Sequence, residues 1–279
     1  MSKKRFVLIT GATSGIGLET AKELIAKGYY IIGTSRSDDK ERKAKKILGK
    51  NAEFISCDMS SQKKIRRLAE ETQRIIEDNG LDVLINNAGT FFSYYALSGE
   101  GVEMQFAVNA VAPLYLSLLL YDEIKRAKGR IINVTSSSHY NTSIKWSDIQ
   151  LSKNYSQLKA YKQTKLFSIM LSREFNKRSK SAKTYMADPG LVSTDIGFKN
   201  TGALAKLVWK YRKSIGQTTS EGASTSVFLA SIEDLTDDFY WKYCKPKKPS
   251  KKALDDKNSE RIWDYCKGIV DVDAEKILR

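Results

Sequence analysis

The run Phe6-Val-Leu-Ile-Thr10 leads straight into Gly11-Ala-Thr-Ser-Gly-Ile-Gly17, and this junction constrains the fold more than any other stretch of the chain. An unbroken apolar segment suits a strand buried on both faces, the setting of a parallel sheet. Glycines at 11, 15 and 17 let the backbone turn tightly into a helix and come close to a bound group. At such a helix N-terminus the free N–H groups and the dipole favour an anion such as a pyrophosphate. The spacing is Gly-x-x-x-Gly-x-Gly rather than the Gly-x-Gly-x-x-Gly of the common dinucleotide fingerprint. Glycines also serve ordinary turns, so the junction alone leaves both readings open.

The alternation continues along the chain. Apolar runs predict strands over 6–10, 29–34, 52–57, 81–85, 130–135 and 183–187. Between them, helical patterns cover 14–26, 39–48, 61–78, 102–125 and 156–177, the first stopped by Gly28. Strands separated by helices imply right-handed crossovers and an α/β fold, a doubly wound parallel sheet of Rossmann-like type. Past Pro189-Gly190 the pattern loosens into a short basic helix at 203–213 and helices at 219–230 and 258–269. The lysine- and proline-rich stretch 242–252 reads as a surface loop. No composition break marks a second domain, so 1–279 reads as one domain, with 237–279 as its C-terminal extension.

Composition removes several classes of function. Three cysteines, Cys57, Cys244 and Cys266, lack metal-ligand spacing, and His139 is the only histidine, so no metal site and no disulfide framework are expected. A Ser-His-Asp hydrolase would have to rest on that one histidine. The longest apolar stretch, 111–121, is far shorter than the ~20 residues of a membrane span. Residues 6–10 are too short for the core of a secretory signal, and a cytoplasmic location is expected. The net charge of +15 suits nucleic acid, anionic lipid or phosphorylated small molecules, or merely a soluble surface. The lysines are scattered among helices without the aromatic interleaving of an RNA-binding sheet, so no nucleic-acid partner is expected.

Taken together, the motifs resemble those of the short-chain dehydrogenase/reductase family. Thr10-Gly-Ala-Thr-Ser-Gly-Ile-Gly17 is similar to its cofactor motif, and Asn86-Asn-Ala-Gly89 to its second motif. Asn109 in Phe106-Ala-Val-Asn109 stands where the family carries a helix asparagine. Asn133-Val-Thr-Ser136 resembles the catalytic serine strand, Tyr161-Lys-Gln-Thr-Lys165 the Tyr-x-x-x-Lys pair, and Pro189-Gly190 the nicotinamide-side turn. Each is weak alone; together they occur in family order over most of the chain.

The chemistry gives the spacing a reason. Tyr161 and Lys165, four apart on a helix, share one face. A phenol of pKa ~10 is a poor acid–base catalyst at neutral pH, and a neighbouring ammonium lowers that value. The resemblance implies that Tyr161 exchanges a proton with the substrate oxygen while hydride crosses to carbon. It implies that Lys165 also holds the nicotinamide ribose, Ser136 donates to the developing alkoxide, and Asn109 holds a water that returns the proton. Cofactor contacts are implied at Gly11, Thr13, Ser14, Gly15, Ile16 and Gly17, and at Asn87, Ala88 and Gly89. Further contacts are implied at Tyr161, Lys165, Pro189, Gly190, Val192 and Thr194.

The second strand bears on cofactor choice. An acidic residue at its end would select NAD through the ribose, but the strand ends Gly33-Thr-Ser-Arg36, with no carboxylate before Asp38. Arg36 suits a 2′-phosphate, so NADP(H) is expected over NAD(H), with a basic surface residue as the plain reading. Asp58 in Cys57-Asp58-Met59 resembles the aspartate that meets adenine, with Met59 beside it, or else caps the following helix.

Trp146-Ser-Asp148-Ile149, Thr219-Ser-Glu-Gly-Ala223 and Arg261-Ile-Trp263-Asp264 are similar to the retinol-dehydrogenase-like branch, which handles retinoids and other lipophilic carbonyls. Asp188 departs from it, standing before Pro-Gly where histidine is frequent, and Thr164 replaces the usual serine. The resemblance puts a substrate lid at 191–216, and its basic amphipathic helix at 203–213 is either that lid or a peripheral membrane contact. His139 either lines the pocket or bonds locally. A homodimer or homotetramer through the helices at 102–125 and 156–177 is implied. The expected activity is hydride transfer between nicotinamide and a lipophilic aldehyde, ketone or alcohol; the alternative is an NADP-binding sensor without turnover.

Overall fold

Each apolar run read from the sequence becomes a strand of one sheet in the computed structural model, which describes residues 4–192, 217–234 and 236–279. The first half alternates β1 (Arg5–Ile9), α1 (Gly15–Ala26), β2 (Tyr29–Ser35), α2 (Asp38–Leu48), β3 (Ala52–Ser56), α3 (Gln62–Ile76) and β4 (Val83–Asn86). The order across the sheet is β3-β2-β1-β4, continuing through β5 (Arg130–Val134) and β6 (Lys183–Asp188) to β7 (Tyr240–Lys242) and β8 (Lys245–Pro246). All neighbours are parallel except β7 and β8. Because β1 pairs with β2 on one side and β4 on the other, the order in which strands are laid down reverses there and opens a crevice at the carboxyl ends of the strands.

The stretch 242–252 lies mostly at the surface as expected, but it opens as a β-hairpin of β7 and β8 rather than as a plain loop. Tyr240 and Trp241 are buried, and their strand adds to the edge of β6. The apolar signal is only three residues, Phe239 to Trp241, and lysines on both sides of the reversal conceal it.

The helix expected over 102–125 is also broken. It runs as α4 (Met104–Phe106), a π-helical turn (Ala107–Val111), α5 (Ala112–Leu119) and α6 (Tyr121–Arg126). Pro113 explains the first break: it has no N–H for the carbonyl four residues earlier, and its ring crowds that carbonyl. The bulge absorbs this, and Asn109 sits in it.

The expected helix at 156–177 is α7 (Gln157–Arg178), capped by Ser156, and every residue from Gln163 to Ser172 is buried. Part of that cover comes from the end of the chain. After α8 (Thr219–Ser231), α9 (Asp256–Lys267) and α10 (Ala274–Ile277) contribute Ile262, Trp263, Cys266 and Ala274 to the core that holds Phe167 and Phe175. Arg173 of α7 donates to Ala253 O at 3.2 Å and to Asp256 Oδ1 at 2.9 Å. Tyr115 of α5, fully buried, bonds the Asp271 carboxylate. Residues 253–278 thus pack against α7, one of the two helices expected to pair with a second copy. Among the described residues no helix is long and apolar enough to cross a membrane. The lid expected at 191–216 and the helix at 203–213 lie, from residue 193 on, outside the described residues.

Candidate active site

The glycine turn after β1 is shaped by close approach. Gly11 and Gly15 have φ of +71° and +57°, which side chains rarely adopt. At Gly17 a Cβ would lie 2.3 Å from Gly11 O and 2.5 Å from Asn87 Nδ2. α1 starts at Gly15 with no acidic residue in its first turn, and its N-cap Ser14 makes no side-chain cap. Among the described residues no side chain claims its leading N–H groups, which suit an anion. Thr13 is half-buried and Ser14 exposed at this mouth.

Thr10 sews the second motif to the first. Its Oγ1 accepts the N–H groups of Asn87 at 3.0 Å and Ala88 at 2.9 Å, while Asn87 Nδ2 donates to Thr10 O at 2.8 Å. Thr34 Oγ1 accepts Gly11 N–H at 2.9 Å. Asn87, Ala88 and half-buried Gly89 thus border the glycine turn. Ile16 and Val192 meet over Gly222 of α8, where a Cβ would lie 2.6 Å from Val192 Cγ2 and 3.3 Å from Ile16 Cγ1. Gly222 stands out in the sequence only within Thr219-Ser-Glu-Gly-Ala223; the close approach of Val192 and of Ile16 on α1 is what requires it. Thr194 lies outside the described residues.

Arg36 is exposed one residue past β2, and Asp58 follows β3 close by. Partial burial pushes the Asp58 carboxyl up, but the N–H and hydroxyl of Ser60, with the charge of Arg36, hold it below the usual carboxylate range. Asp58 Oδ1 accepts the N–H of Ser60 at 3.1 Å and its hydroxyl at 2.9 Å, a local turn ahead of α3; the helix cap that the sequence offered to Asp58 is made by Ser61 instead. Met59 is buried beside it. Pro189 and Gly190 form the turn after β6, with Gly190 at φ +76°. A glycine cradle, an uncapped helix start and an arginine at the neighbouring strand end fit a dinucleotide.

On the other side of the crevice α7 carries Tyr161 and Lys165. Lys165 is 6% exposed, and its Nζ donates to Val134 O at 3.0 Å, two residues before Ser136. Burial pulls its ammonium down to about 8, with the Asp188 charge working against that. Nζ lies 5.7 Å from the Tyr161 ring centre, and the Phe91 ring packs edge-on against the phenol at 5.5 Å. Ser136 Oγ accepts Ser138 N–H at 3.2 Å, which leaves its own hydrogen to donate. Asn109 Oδ1 accepts Thr90 N–H at 2.8 Å, and its Nδ2 donates to Thr90 O at 3.0 Å and Thr164 Oγ1 at 3.2 Å. The structure therefore gathers Tyr161, Lys165 and Asn109 on and against α7, with Ser136 two residues beyond the carbonyl that holds Lys165.

His139 takes the local role. Its Nε2 accepts Ser250 N–H at 3.1 Å, so the proton resides on Nδ1, which donates to Ser136 O at 2.8 Å. Burial lowers its pKa and keeps the ring neutral.

Behind Lys165 is a cavity of about 20 Å³ for water centres, lined in part by Asn86, Asn109, Ser117, Asn133 and Ser172. That is room for an ordered water. Asn86 Nδ2 donates to Asn133 Oδ1 at 2.8 Å, and Asn133 Nδ2 to Ser172 Oγ at 2.8 Å. Sequence reading quoted Asn86 and Asn133 only as motif members. Their signal was an amide at the end of a buried strand, which must find partners. Among the described residues no group of three or more His, Cys, Asp and Glu is placed to hold a metal ion.

Comparison with known proteins agrees with this geometry. The sequence profile of short chain dehydrogenase matches residues 5–202. Retinol dehydrogenase 12 of Mus musculus is 34% identical over 269 residues, spanning 93% of this chain and 84% of that protein. The crystal structure of an uncharacterized protein from Mycobacterium Paratuberculosis superposes with a TM-score of 0.75 at 28% identity, over 95% of this chain and 92% of that one. NADPH bound carbonyl reductase from chicken fatty liver shares the fold, with a TM-score of 0.66 at 21% identity over 89% of this chain and 100% of that one.

Proposed function

The chain belongs to the short-chain dehydrogenase/reductase family, in its retinol-dehydrogenase-like branch, and from that premise we propose an NADP(H)-preferring reductase of lipophilic aldehydes and ketones. Membership makes it an NAD(P)-dependent oxidoreductase acting on a small carbonyl or alcohol substrate. The observation that carries the finer reading is the aromatic contact on the acid–base residue, with further exposed tyrosines on the loops that follow the neighbouring strands. Phe91 packs on Tyr161, and exposed Tyr94, Tyr140 and Tyr243 follow the carboxyl ends of β4, β5 and β7. Such a rim receives an apolar chain and leaves its polar end at Tyr161. Arg36, with no carboxylate beside it on β2, supports a 2′-phosphate and therefore NADP(H).

Nicotinamide, when bound, supplies or takes the hydride. Tyr161 hands its proton to the carbonyl oxygen, and Ser136 donates its free hydrogen to the same oxygen. Lys165, held by Val134 O, sets a positive charge near the phenol and so favours its release of a proton. Both amide protons of Asn109 are engaged within the protein, and the polar cavity it lines together with Lys165 has room for a water.

The test is steady-state NADPH and NADH oxidation with straight-chain aldehydes of increasing length, on the native chain and Arg36→Asp. The reading expects kcat/KM at least about tenfold higher for NADPH, the worth of one charge-assisted contact, and reversed in the variant. It also expects kcat/KM to rise with chain length, by up to about 0.8 kcal/mol per buried methylene. Equal use of both nucleotides, or a preference for the shortest aldehyde, overturns it.

A further inference from the structure

Asp188 ends β6 fully buried, and the proposed chemistry makes no direct use of it. A buried carboxylate is costly unless hydrogen bonds surround it, so its partners indicate what it is kept for. Its Oδ1 accepts the N–H of Gly190, in the nicotinamide-side turn, at 2.9 Å. Its Oδ2 accepts the hydroxyls of Ser137 at 2.5 Å and Tyr240 at 2.6 Å. Lys242 Nζ lies 4.0 Å from the same oxygen and donates to Ser137 Oγ at 2.8 Å. Three separate pieces of chain converge on one side chain: the residue after Ser136, the turn after β6, and the strand β7.

We propose that Asp188 is a positioning residue, locking the catalytic serine segment to the nicotinamide-side turn. The proposal rests on the role given above to Ser136. With Ser137 donating to Asp188 and accepting from Lys242, its rotamer is fixed from both sides. The carbonyl of Ser136 is fixed separately by His139. The Ser136 hydroxyl is thus carried on a backbone tied at its own residue and at the next. The edge strand β7, hidden among lysines, supplies two of the four groups that meet the carboxylate. A site misplaced by about 1 Å can lose about a hundredfold in rate, which is what the lock protects against.

Two variants of the full chain test this, Ser137→Ala and Asp188→Asn, with kcat on a saturating aldehyde, NADPH binding by fluorescence, and thermal melting measured for each. Ser137→Ala frees only the serine side, so kcat falls about tenfold while NADPH affinity and melting temperature hold. Asp188→Asn keeps an oxygen for Gly190 but turns an N–H toward the hydroxyls. Its kcat falls about a hundredfold, with NADPH affinity within about threefold. A native kcat in Ser137→Ala overturns the proposal, as does loss of rate only in proportion to folded protein in both variants. Should Asp188→Asn fail to fold, Ser137→Ala decides alone. If the native chain reduces no carbonyl, the functional reading fails first. Amide hydrogen exchange over 136–139 then judges the lock, being faster in Ser137→Ala if the lock exists and unchanged if it does not.

Discussion

Lys165 holds a buried ammonium, and the size of its cost to stability follows from its surroundings. Its ammonium is 6% exposed, and burial pulls its pKa from the model-compound value of 10.5 down to about 8. At 1.36 kcal/mol per unit, the folded chain at pH 7 carries about 3 kcal/mol of penalty for holding the charge. Lys165→Met removes that penalty and also the hydrogen bond to Val134 O, worth about 1 kcal/mol. The net expectation is a variant about 2 kcal/mol more stable, melting about 4 °C higher at pH 7 and inactive. The sign with pH is definite. Between about 8 and 10.5 the folded native chain has released the Lys165 proton while the unfolded chain still binds it. The native chain therefore gains stability relative to Lys165→Met as pH rises through that window. Below about 8 both states hold the proton and the gap is constant. Thermal melting of both proteins without cofactor, from pH 6.5 to 10.5, checks this. A variant less stable at pH 7, or a gap independent of pH, refutes the reasoning.

Gly17→Ala puts a methyl 2.3 Å from Gly11 O, so it should cost about 1–3 kcal/mol in chemical denaturation and abolish dinucleotide binding in a fluorescence titration. Asn109→Ala strands the N–H and C=O of Thr90, lowering stability by about 2–3 kcal/mol, and kcat should fall more than the folded fraction. Trp263→Ala empties a fully buried site beneath α9 and should cost about 3–5 kcal/mol. Light scattering should then detect self-association in that variant, as α7 loses its cover.

Much of the sheet was legible because strands buried on both faces are written as unbroken apolar runs: Phe6 to Ile9 and Leu81 to Ile85 have few alternatives. Tyr161 and Lys165 were legible for a different reason, since a spacing of four on a helix fixes a shared face before any tertiary contact is known. What stayed hidden depends on partners distant in sequence. The π-helical turn is foreshadowed by Pro113, but nothing local says where the helix takes up the extra residue. The strand at Tyr240 becomes visible only when β6 lies beside it. Asp188 looked like a departure from a pattern; its meaning came from Ser137, 51 residues earlier, and Tyr240, 52 residues later. The packing of Trp263 and its neighbours into the core around α7 was equally hidden, because it joins residues about a hundred positions apart.

The central claim is that Tyr161 exchanges a proton with the substrate oxygen in a nicotinamide-dependent reduction. Its most direct test is Tyr161→Phe, with NADPH binding and aldehyde reduction measured side by side against the native chain. The account predicts unchanged NADPH affinity and a rate lowered about 10²- to 10⁴-fold, the usual contribution of a positioned acid–base group. A variant that reduces aldehyde as fast as the native chain, or a native chain that binds NADPH and turns nothing over, contradicts it.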